Sequence, residues 1–328
     1  MTAPTAAVAY SVPRHLPATG TPGRDHWTQI RAVDSSVMLE ELTAFETFMV
    51  VEVREGGLPH LEVLGPDGHT IDRIAMPDPV YEVSLEQNPE FATGEIRYAY
   101  QSLAVPRSVY VYDVATKTSR LLKEDPVPGF DRAAYTTERR FATAKDGTKI
   151  PISVVYKKGV GGPSPMHLYA YGAYGYSLPV GFSPARLTLL DRGVVFAIAH
   201  VRGGGELGKP WHEAGRLAHK INTFTDFIAA AESLVAPNAD GTPSAAKLTI
   251  EGASAGGLLM GGVLNMRPEL FQAAIVAVPF VDVINTMNDP SLPLTITEYE
   301  EWGNPGLAEQ YGWMRAYSPY DNLAAKAY

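Results

Sequence analysis

The 328-residue sequence contains no cysteine. This absence excludes disulfide bonds, thiolate zinc sites and a cysteine nucleophile. The sequence also lacks any apolar run near the ~20 residues that cross a bilayer, so no membrane partner is expected. The N-terminal stretch lacks a basic segment followed by a continuous apolar core, and it therefore does not fit a secretory signal. A cytoplasmic location is the default expectation.

Positively charged residues are fewer than negatively charged ones: the sequence has 27 Lys and Arg and 36 Asp and Glu, for a formal net charge of −9. A nucleic-acid partner is not expected, because phosphates require a basic face. A cationic substrate is compatible with this balance. The histidines predict no metal site, since His212 and His219 are seven residues apart and the H-E-x-x-H motif needs two histidines four apart. No cofactor is expected, and the sequence predicts no oligomeric state.

A G-x-S-x-G motif, Gly252-Ala253-Ser254-Ala255-Gly256, joins a β-rich run to an apolar run compatible with a helix. Strand, sharp turn and helix together are the context of a nucleophile elbow. The glycines relieve crowding in the tight turn. Ser254 is the candidate nucleophile, and the N–H of Ala255 is placed to receive an oxyanion. The alternative is a small-residue turn that only lets a helix pack closely on a sheet.

Residues 31–124 predict β-structure throughout, as short runs separated by turn signals such as GPDG and QNP. A weak internal repeat at an offset of 48 residues places the segment from Leu61 over the segment from Val109. Each copy would be the outer hairpin of a four-stranded unit. A period in the forties with four strands indicates propeller blades, of which about two fit. A β-sandwich is the alternative.

From Tyr135 the pattern changes to a hairpin followed by strands that alternate with helical stretches. Such alternation predicts a mainly parallel sheet with helices on both faces. Ligand chemistry in these sheets gathers at the carboxyl ends of the strands. Tyr171, in a glycine-rich turn after one strand, could donate its hydroxyl to an oxyanion or only pack. Gly203, Gly205 and Gly208 formally match a dinucleotide motif, but no tight strand-to-helix join follows, and Pro210 lies where a helix should run.

Glu298, Glu300 and Glu301 are clustered beside Tyr299 and Trp302. A run of charges is usually a solvated face. The aromatic neighbours favour instead a partly enclosed acidic pocket for a guanidinium or ammonium group.

The sequence resembles the prolyl oligopeptidase family of serine peptidases, in particular its oligopeptidase B branch, over about nine tenths of its length. The motifs that carry the resemblance are VPGFD at 127–131, YAYGAYG at 169–175, HVRGGGELG at 200–208, GASAGGLLMG at 252–261, NMRPELF at 265–271, VPFVDV at 278–283 and EYEEWGNP at 298–305. Ala255 also matches this branch, since the proline-specific branch typically carries Asn after the nucleophile.

The resemblance implies an α/β fold in which the last blades of a β-propeller precede an α/β-hydrolase domain truncated at its C-terminus. The expected domains are a loose segment at 1–30, a partial propeller of about two blades at 31–134, and the incomplete catalytic domain at 135–328. It also implies cleavage of short peptides after Arg or Lys. Ser254 would be the nucleophile, Tyr171 and the Ala255 N–H the oxyanion hole, and Glu298 and Glu300 the acidic pair that binds the basic side chain. Glu301 would lie outside this pair and matter little.

Two features depart from the family pattern. Pro179 and Gly181 stand where several oligopeptidases B carry aspartates of a second basic subsite, so a preference for paired basic residues is not implied. No histidine follows His219, although hydrolases of this fold order the triad Ser, Asp, His. The chain is therefore expected to be an internal fragment and inactive alone. The alternatives are a non-catalytic interaction protein and, more remotely, a nucleotide-binding oxidoreductase.

Overall fold

The computed structural model describes residues 29, 30, 34, 36–237 and 244–328. The described residues form two compact units that alternate along the chain: the first takes those up to 77 with 83–100 and 108–124, and the second takes 78–82, 101–107, 125–237 and 244–328. The segment expected at 1–30 falls outside the described residues, except for Gln29 and Ile30. The expected domain bounds, 31–134 and 135–328, stay predictions.

The first eight strands form two four-stranded sheets, each with its strands in sequence order. The first sheet contains β1 (Val37–Ala44), β2 (Met49–Glu55), β3 (Leu58–Leu64) and β4 (Thr70–Arg73). The second contains β5 (Glu82–Leu85), β6 (Glu95–Ser102), β7 (Val105–Asp113) and β8 (Thr118–Glu124). Alternation within β6 buries every second residue from Ile96 to Ser102, because successive side chains of a strand point to opposite faces.

The internal repeat corresponds to the last hairpin of each sheet. Leu61 lies in β3 and Val109 in β7, while Thr70 begins β4 and Thr118 begins β8. Both hairpins pair antiparallel. Each copy of the repeat is thus the outer hairpin of a four-stranded sheet, as predicted. The two sheets have the strand order of propeller blades.

A six-stranded sheet organises the second unit, in the order β14-β13-β11-β12-β10-β9. Its strands are β9 (Tyr135–Thr143), β10 (Lys149–Lys157), β11 (Pro163–Tyr169), β12 (Val195–Ala199), β13 (Ser244–Ala253) and β14 (Ala273–Ala277). The hairpin of β9 and β10 and the β10–β12 pair are antiparallel, and the remaining pairs are parallel. This is the predicted sheet, and β13 leads directly into the turn that carries Ser254.

Seven α-helices accompany this sheet among the described residues. They are α1 (Pro184–Leu190), α2 (Lys209–Glu213), α3 (Ile221–Val235), α4 (Ala255–Met266), α5 (Val283–Asn288), α6 (Tyr299–Trp302) and α7 (Ala308–Arg315). In the described part of the chain, no helix combines the length and apolar character needed to cross a membrane.

Both faces of the six-stranded sheet are packed. Along β12, Ala197 and Ala199 belong to the core that includes α3 and α4, while Phe196 and Ile198 belong to a core on the other side, with α1. Burial on both faces explains why β12 is apolar at every position instead of alternating.

A buried ion pair fixes the chain just after β12. The Arg202 guanidinium donates from Nε to Asp226 Oδ2 at 2.8 Å and from Nη2 to Oδ1 at 2.6 Å. The Asp226 side chain, in α3, is fully buried. Arg202 Nη1 also donates to Asp146, whose side chain is 48% exposed. The paired geometry satisfies a charge that would otherwise be costly to bury, and it ties α3 to the end of β12.

We expect Asp226→Ala to lower the free energy of unfolding by about 3 to 5 kcal/mol, because removing the buried partner leaves the Arg202 charge with only the exposed Asp146 to compensate it. Asp146→Asn is the matched control at the exposed end of the same guanidinium, and it should cost less than about 1 kcal/mol. Urea denaturation followed by circular dichroism measures both. Equal losses in the two variants would contradict this account.

Candidate active site

Ser254 occupies a strained turn between β13 and α4. Its backbone has φ 56° and ψ −118°, a left-handed value that is uncommon for a residue with a side chain. The residue is exposed. Its N–H donates to the Ala277 carbonyl at 3.0 Å, and its carbonyl accepts from Leu258 N–H at 3.0 Å. The turn thus presents the hydroxyl outward while the backbone is held by β14 and α4.

The flanking glycines are required by space. A Cβ on Gly252 would lie 2.2 Å from the Gly256 carbonyl oxygen, and a Cβ on Gly256 would lie 2.8 Å from the Ala170 carbonyl oxygen. No side chain fits at such distances. Close packing therefore explains both glycines. It does not explain the strained backbone of Ser254, which a turn that only packs a helix on a sheet would not require.

The Tyr171 side chain lies beside Ser254. Burial raises the pKa of Tyr171 most, the neighbouring Ser254 lowers it in part, and the charge of Glu298 raises it further, so the phenol stays protonated at neutral pH. Ala255 is the first residue of α4, where an N–H has no acceptor within the helix. Two donors thus stand beside the Ser254 hydroxyl, an arrangement that can stabilise negative charge on an oxygen bound there.

The turn that carries Tyr171 rests on the glycine-rich run after β12. A Cβ on Gly203 would lie 2.3 Å from the Gly172 carbonyl oxygen, and one on Gly205 would lie 2.1 Å from the Gly175 carbonyl oxygen. Gly175 N–H donates to the Gly203 carbonyl at 3.0 Å. The backbones of the two segments are therefore in direct contact, which accounts for these glycines without a nucleotide.

The helix that would hold a pyrophosphate does not follow β12 directly. β12 ends at Ala199, whereas α2 begins only at Lys209 and contains Pro210. A dinucleotide site needs the helix to start at the glycine turn, so this geometry does not favour the oxidoreductase alternative.

Glu298 lies in this site. Its Oε2 accepts from the Tyr174 hydroxyl at 3.0 Å and from Trp302 Nε1 at 2.8 Å, and its side chain is half-buried. Glu300 is exposed, and its carbonyl oxygen accepts from Arg216 Nη1 at 2.7 Å. The structure thus brings Ser254, Tyr171, Ala255 and Glu298 together, while no contact of the Glu300 side chain in the described part of the chain joins it to them.

The expectation that Glu301 matters little stays a prediction, although the structure places this residue in the protein interior. Glu301 is 5% exposed and pairs with the buried Lys220 and with His212. Burial opposes its charged form, but the bond from His212, the charge of Lys220 and the Tyr174 N–H hold the pKa of Glu301 below its ordinary value. Burial lowers the pKa of Lys220 to about 8, against the opposing effect of Glu301. No sequence pattern indicates the pair of Lys220 and Glu301, because its members are 81 residues apart.

Three histidines of the second unit bind carboxylates. His167 contacts Glu251 at 2.8 Å, His200 contacts Glu206 at 3.2 Å, and His212 contacts Glu301 at 2.6 Å. None of these three is bonded to Ser254. A general base for Ser254 is therefore not among them.

A cavity of about 860 Å³ opens beside Tyr171, on the face of the sheet that carries α1. Tyr169, Tyr176 and Phe196 are among its lining residues, but Ser254 and Glu298 are not. Tyr171 is the residue that the cavity lining and the candidate site share.

Two family matches cover most of the chain. Residues 180–328 match the prolyl oligopeptidase family, and residues 12–125 match the prolyl oligopeptidase N-terminal β-propeller domain. These matches confirm the predicted combination of a propeller with an α/β-hydrolase domain.

Curated relatives and solved structures agree with the matches. Dipeptidyl aminopeptidase BI from Pseudoxanthomonas mexicana is 45% identical over 94% of this chain and 43% of its own length. Protease 2 from Moraxella lacunata is 42% identical over 88% of this chain and 42% of its own length. The structure of oligopeptidase B from Leishmania major superposes with a TM-score of 0.82 at 43% identity, covering 92% of this chain and 43% of that one.

Oligopeptidase B from Trypanosoma brucei with covalently bound antipain has the same TM-score of 0.82 at 40% identity, over 93% of this chain and 45% of that one. The chain thus spans less than half the length of the relatives it matches. The chain belongs to the prolyl oligopeptidase family, a family of serine peptidases, and it is oligopeptidase B-like.

Proposed function

We propose that the full-length protein hydrolyses short peptides after Arg or Lys through an acyl-enzyme on Ser254. The observation that carries this proposal is the exposed, strained Ser254 with two hydrogen-bond donors beside it, Tyr171 and Ala255 N–H. The similarity to protease 2 and to oligopeptidase B structures supports a peptide substrate. The expected cytoplasmic location stays a prediction.

The reaction follows the acyl-transfer scheme of serine hydrolases. Ser254 Oγ attacks the scissile carbonyl and loses its proton to a general base, while the carbonyl oxygen becomes an oxyanion that accepts from Tyr171 and Ala255. The amine leaves with a proton, and water then hydrolyses the ester. We place the general base in the part of the full-length protein beyond these residues, consistent with the chain order Ser, Asp, His of this fold.

Specificity for a basic side chain rests on Glu298. Its carboxylate is half-buried, and it accepts bonds from Tyr174 and Trp302 that fix its orientation toward the site. A substrate guanidinium could therefore form a charge-assisted hydrogen bond in a partly desolvated place. Glu300, which is exposed, contributes less in this proposal than the resemblance alone implies.

The name of one relative suggests a second candidate for where cleavage occurs. Dipeptidyl aminopeptidase BI is named for removing dipeptides from an N-terminus, and it is 45% identical to this chain. A peptide with a free N-terminus and the same peptide with a blocked N-terminus separate the two modes. Cleavage of the free form alone would favour the dipeptidyl activity over endopeptidase action.

We expect the 328-residue chain by itself to turn over an arginyl amide at least about 10⁴-fold more slowly than the full-length protein, because Ser254 has no imidazole partner among the described residues. Ser254→Ala in the full-length protein should abolish turnover. A rate for the 328 residues close to the full-length rate, and lost on Ser254→Ala, would refute the assignment of the base outside them.

We expect Tyr171→Phe in the full-length protein to lower kcat about 100-fold and to change KM little, because the lost hydroxyl acts mainly on the oxyanion and one such donor is worth ~3 kcal/mol. Steady-state kinetics on an arginyl amide measure the effect. If kcat stays within about twofold of the wild-type value, Tyr171 has only a packing role.

We expect the double variant Glu298→Gln, Glu300→Gln to lower kcat/KM for an arginyl amide by roughly 100-fold, with most of the loss reproduced by Glu298→Gln alone, since the lost contacts are worth ~1.5 to 3 kcal/mol each when desolvated. Hydrolysis of a small ester without a basic group should barely change.

The matched control for these substitutions is Glu309→Gln, because Glu309 is an exposed acid on α7. The 328-residue chain provides a second measurement through the fluorescence of Trp302, one of its four tryptophans. Agmatine, a small guanidinium compound, should quench Trp302 fluorescence, and Glu298→Gln should weaken this binding about tenfold or more. Unchanged arginine preference in the double variant would make the acidic cluster a solvated face.

A further inference from the structure

A buried ion pair lies beneath the two segments that form the candidate site. Lys220 is 2% exposed, and its Nζ lies 3.5 Å from Glu301 Oε1 and 4.6 Å from the centre of the Trp302 ring. Trp302 itself is fully buried. Lys220 lies just before α3, and Glu301 and Trp302 are the last two residues of α6. The ion pair therefore connects two elements that are distant in the sequence.

Each member of the pair also holds the turn that carries Tyr171. Lys220 Nζ donates to the Gly172 carbonyl oxygen at 2.7 Å, and Glu301 Oε1 accepts from the Tyr174 N–H at 3.1 Å. Tyr174 has φ 60°, a left-handed conformation that needs support from its surroundings. The Tyr174 hydroxyl then donates to Glu298. One network thus fixes both the turn next to Ser254 and the acid that would bind a cation.

We propose that Lys220 and Glu301 are positioning residues that hold the Tyr171–Gly175 turn against α6, and thereby set both the Tyr171 hydroxyl and the Glu298 carboxylate relative to Ser254. The proposal rests on the function proposed above. In this proposal, neither Lys220 nor Glu301 contacts the substrate. Their effect on catalysis is through the residues that do.

The charged partners of Glu301 support a role for this residue in positioning the turn and not in binding substrate. Glu301 faces both Lys220 and His212, so its negative charge is compensated inside the protein. Within the part of the chain that the structure describes, Glu298 instead accepts from two neutral donors, a phenol and an indole. Glu298 therefore keeps its charge available for a ligand, while Glu301 uses its charge to fix the turn.

The first test measures backbone hydrogen exchange in the 328-residue chain and needs no catalytic activity. Lys220→Met and Glu301→Leu each remove one contact to the turn and leave a charge with fewer partners. Exchange in peptides covering 171–176 should become about tenfold faster or more, while exchange in β10 stays unchanged. Unchanged exchange at 171–176, or an equal rise throughout the chain, would overturn the proposal.

The double variant Lys220→Met, Glu301→Leu separates positioning from stability. Both charges of the pair are then gone, so the thermal midpoint should recover relative to the single variants. The contacts to Gly172 and Tyr174 are absent, however, so local exchange should stay fast. Recovery of both properties together would mean that the pair serves stability only.

The second test uses the full-length protein. In the double variant, kcat should fall by about 10-fold to 100-fold for an arginyl amide and also for a small neutral ester, because a displaced Tyr171 affects both reactions. Glu298→Gln should impair only the arginyl substrate, and Glu309→Gln should leave both unchanged. A double variant that loses only the arginyl substrate would contradict the link to Tyr171.

The proposed function and the positioning role of the Lys220–Glu301 pair are distinguished by different outcomes. If the wild-type full-length protein hydrolyses neither substrate, the proposed function fails, and the exchange measurements still decide whether the pair holds the turn. If the wild-type protein is active and the double variant keeps its kcat on both substrates, the function stands and the positioning role falls.

Discussion

The approach of backbone to backbone around Ser254 is the constraint on which the rest of the site depends. Gly252, Gly256, Gly203 and Gly205 all lie where an added Cβ would come within 3 Å of a carbonyl oxygen. These contacts bring the β13–α4 turn, the Tyr171 turn and the segment after β12 against one another. Only then can the hydroxyl of Tyr171 reach Ser254, since a phenol has one fixed length and few rotamers.

The buried charges around this packed backbone are held in ion pairs. Arg202 and Lys220 are both nearly inaccessible to solvent, and each is compensated by a carboxylate, Asp226 and Glu301 respectively. Such pairs add little net stability, but each becomes costly when one partner is lost. They therefore specify which arrangement of loops is allowed: the first ties α3 to the end of β12, and the second ties the Tyr171 turn to α6.

The sequence predicts the parts of this design that depend on local backbone requirements. The glycines around Ser254 and the 48-residue repeat leave marks in the sequence because a tight turn or a hairpin constrains residues close together in the chain. The roles of Glu301 and Lys220 leave no such mark, since burial and pairing are set only when segments 81 residues apart meet. For the same reason, Glu298 and Glu300 look equivalent as neighbours in a charged run, whereas the fold buries one partly and exposes the other.

The helical geometry of α6 explains why the acids differ. Glu298 caps this helix and Glu301 lies three residues later, so the two share a face, while Glu300 is rotated away from it. That shared face meets Tyr174, which donates its hydroxyl to one acid and its N–H to the other. Glu298 also adds to the rise in the pKa of Tyr171 that burial begins. The carboxylate suited to attract a cationic substrate therefore acts on the Tyr171 phenol in the same direction as burial, toward the protonated form that can donate to an oxyanion.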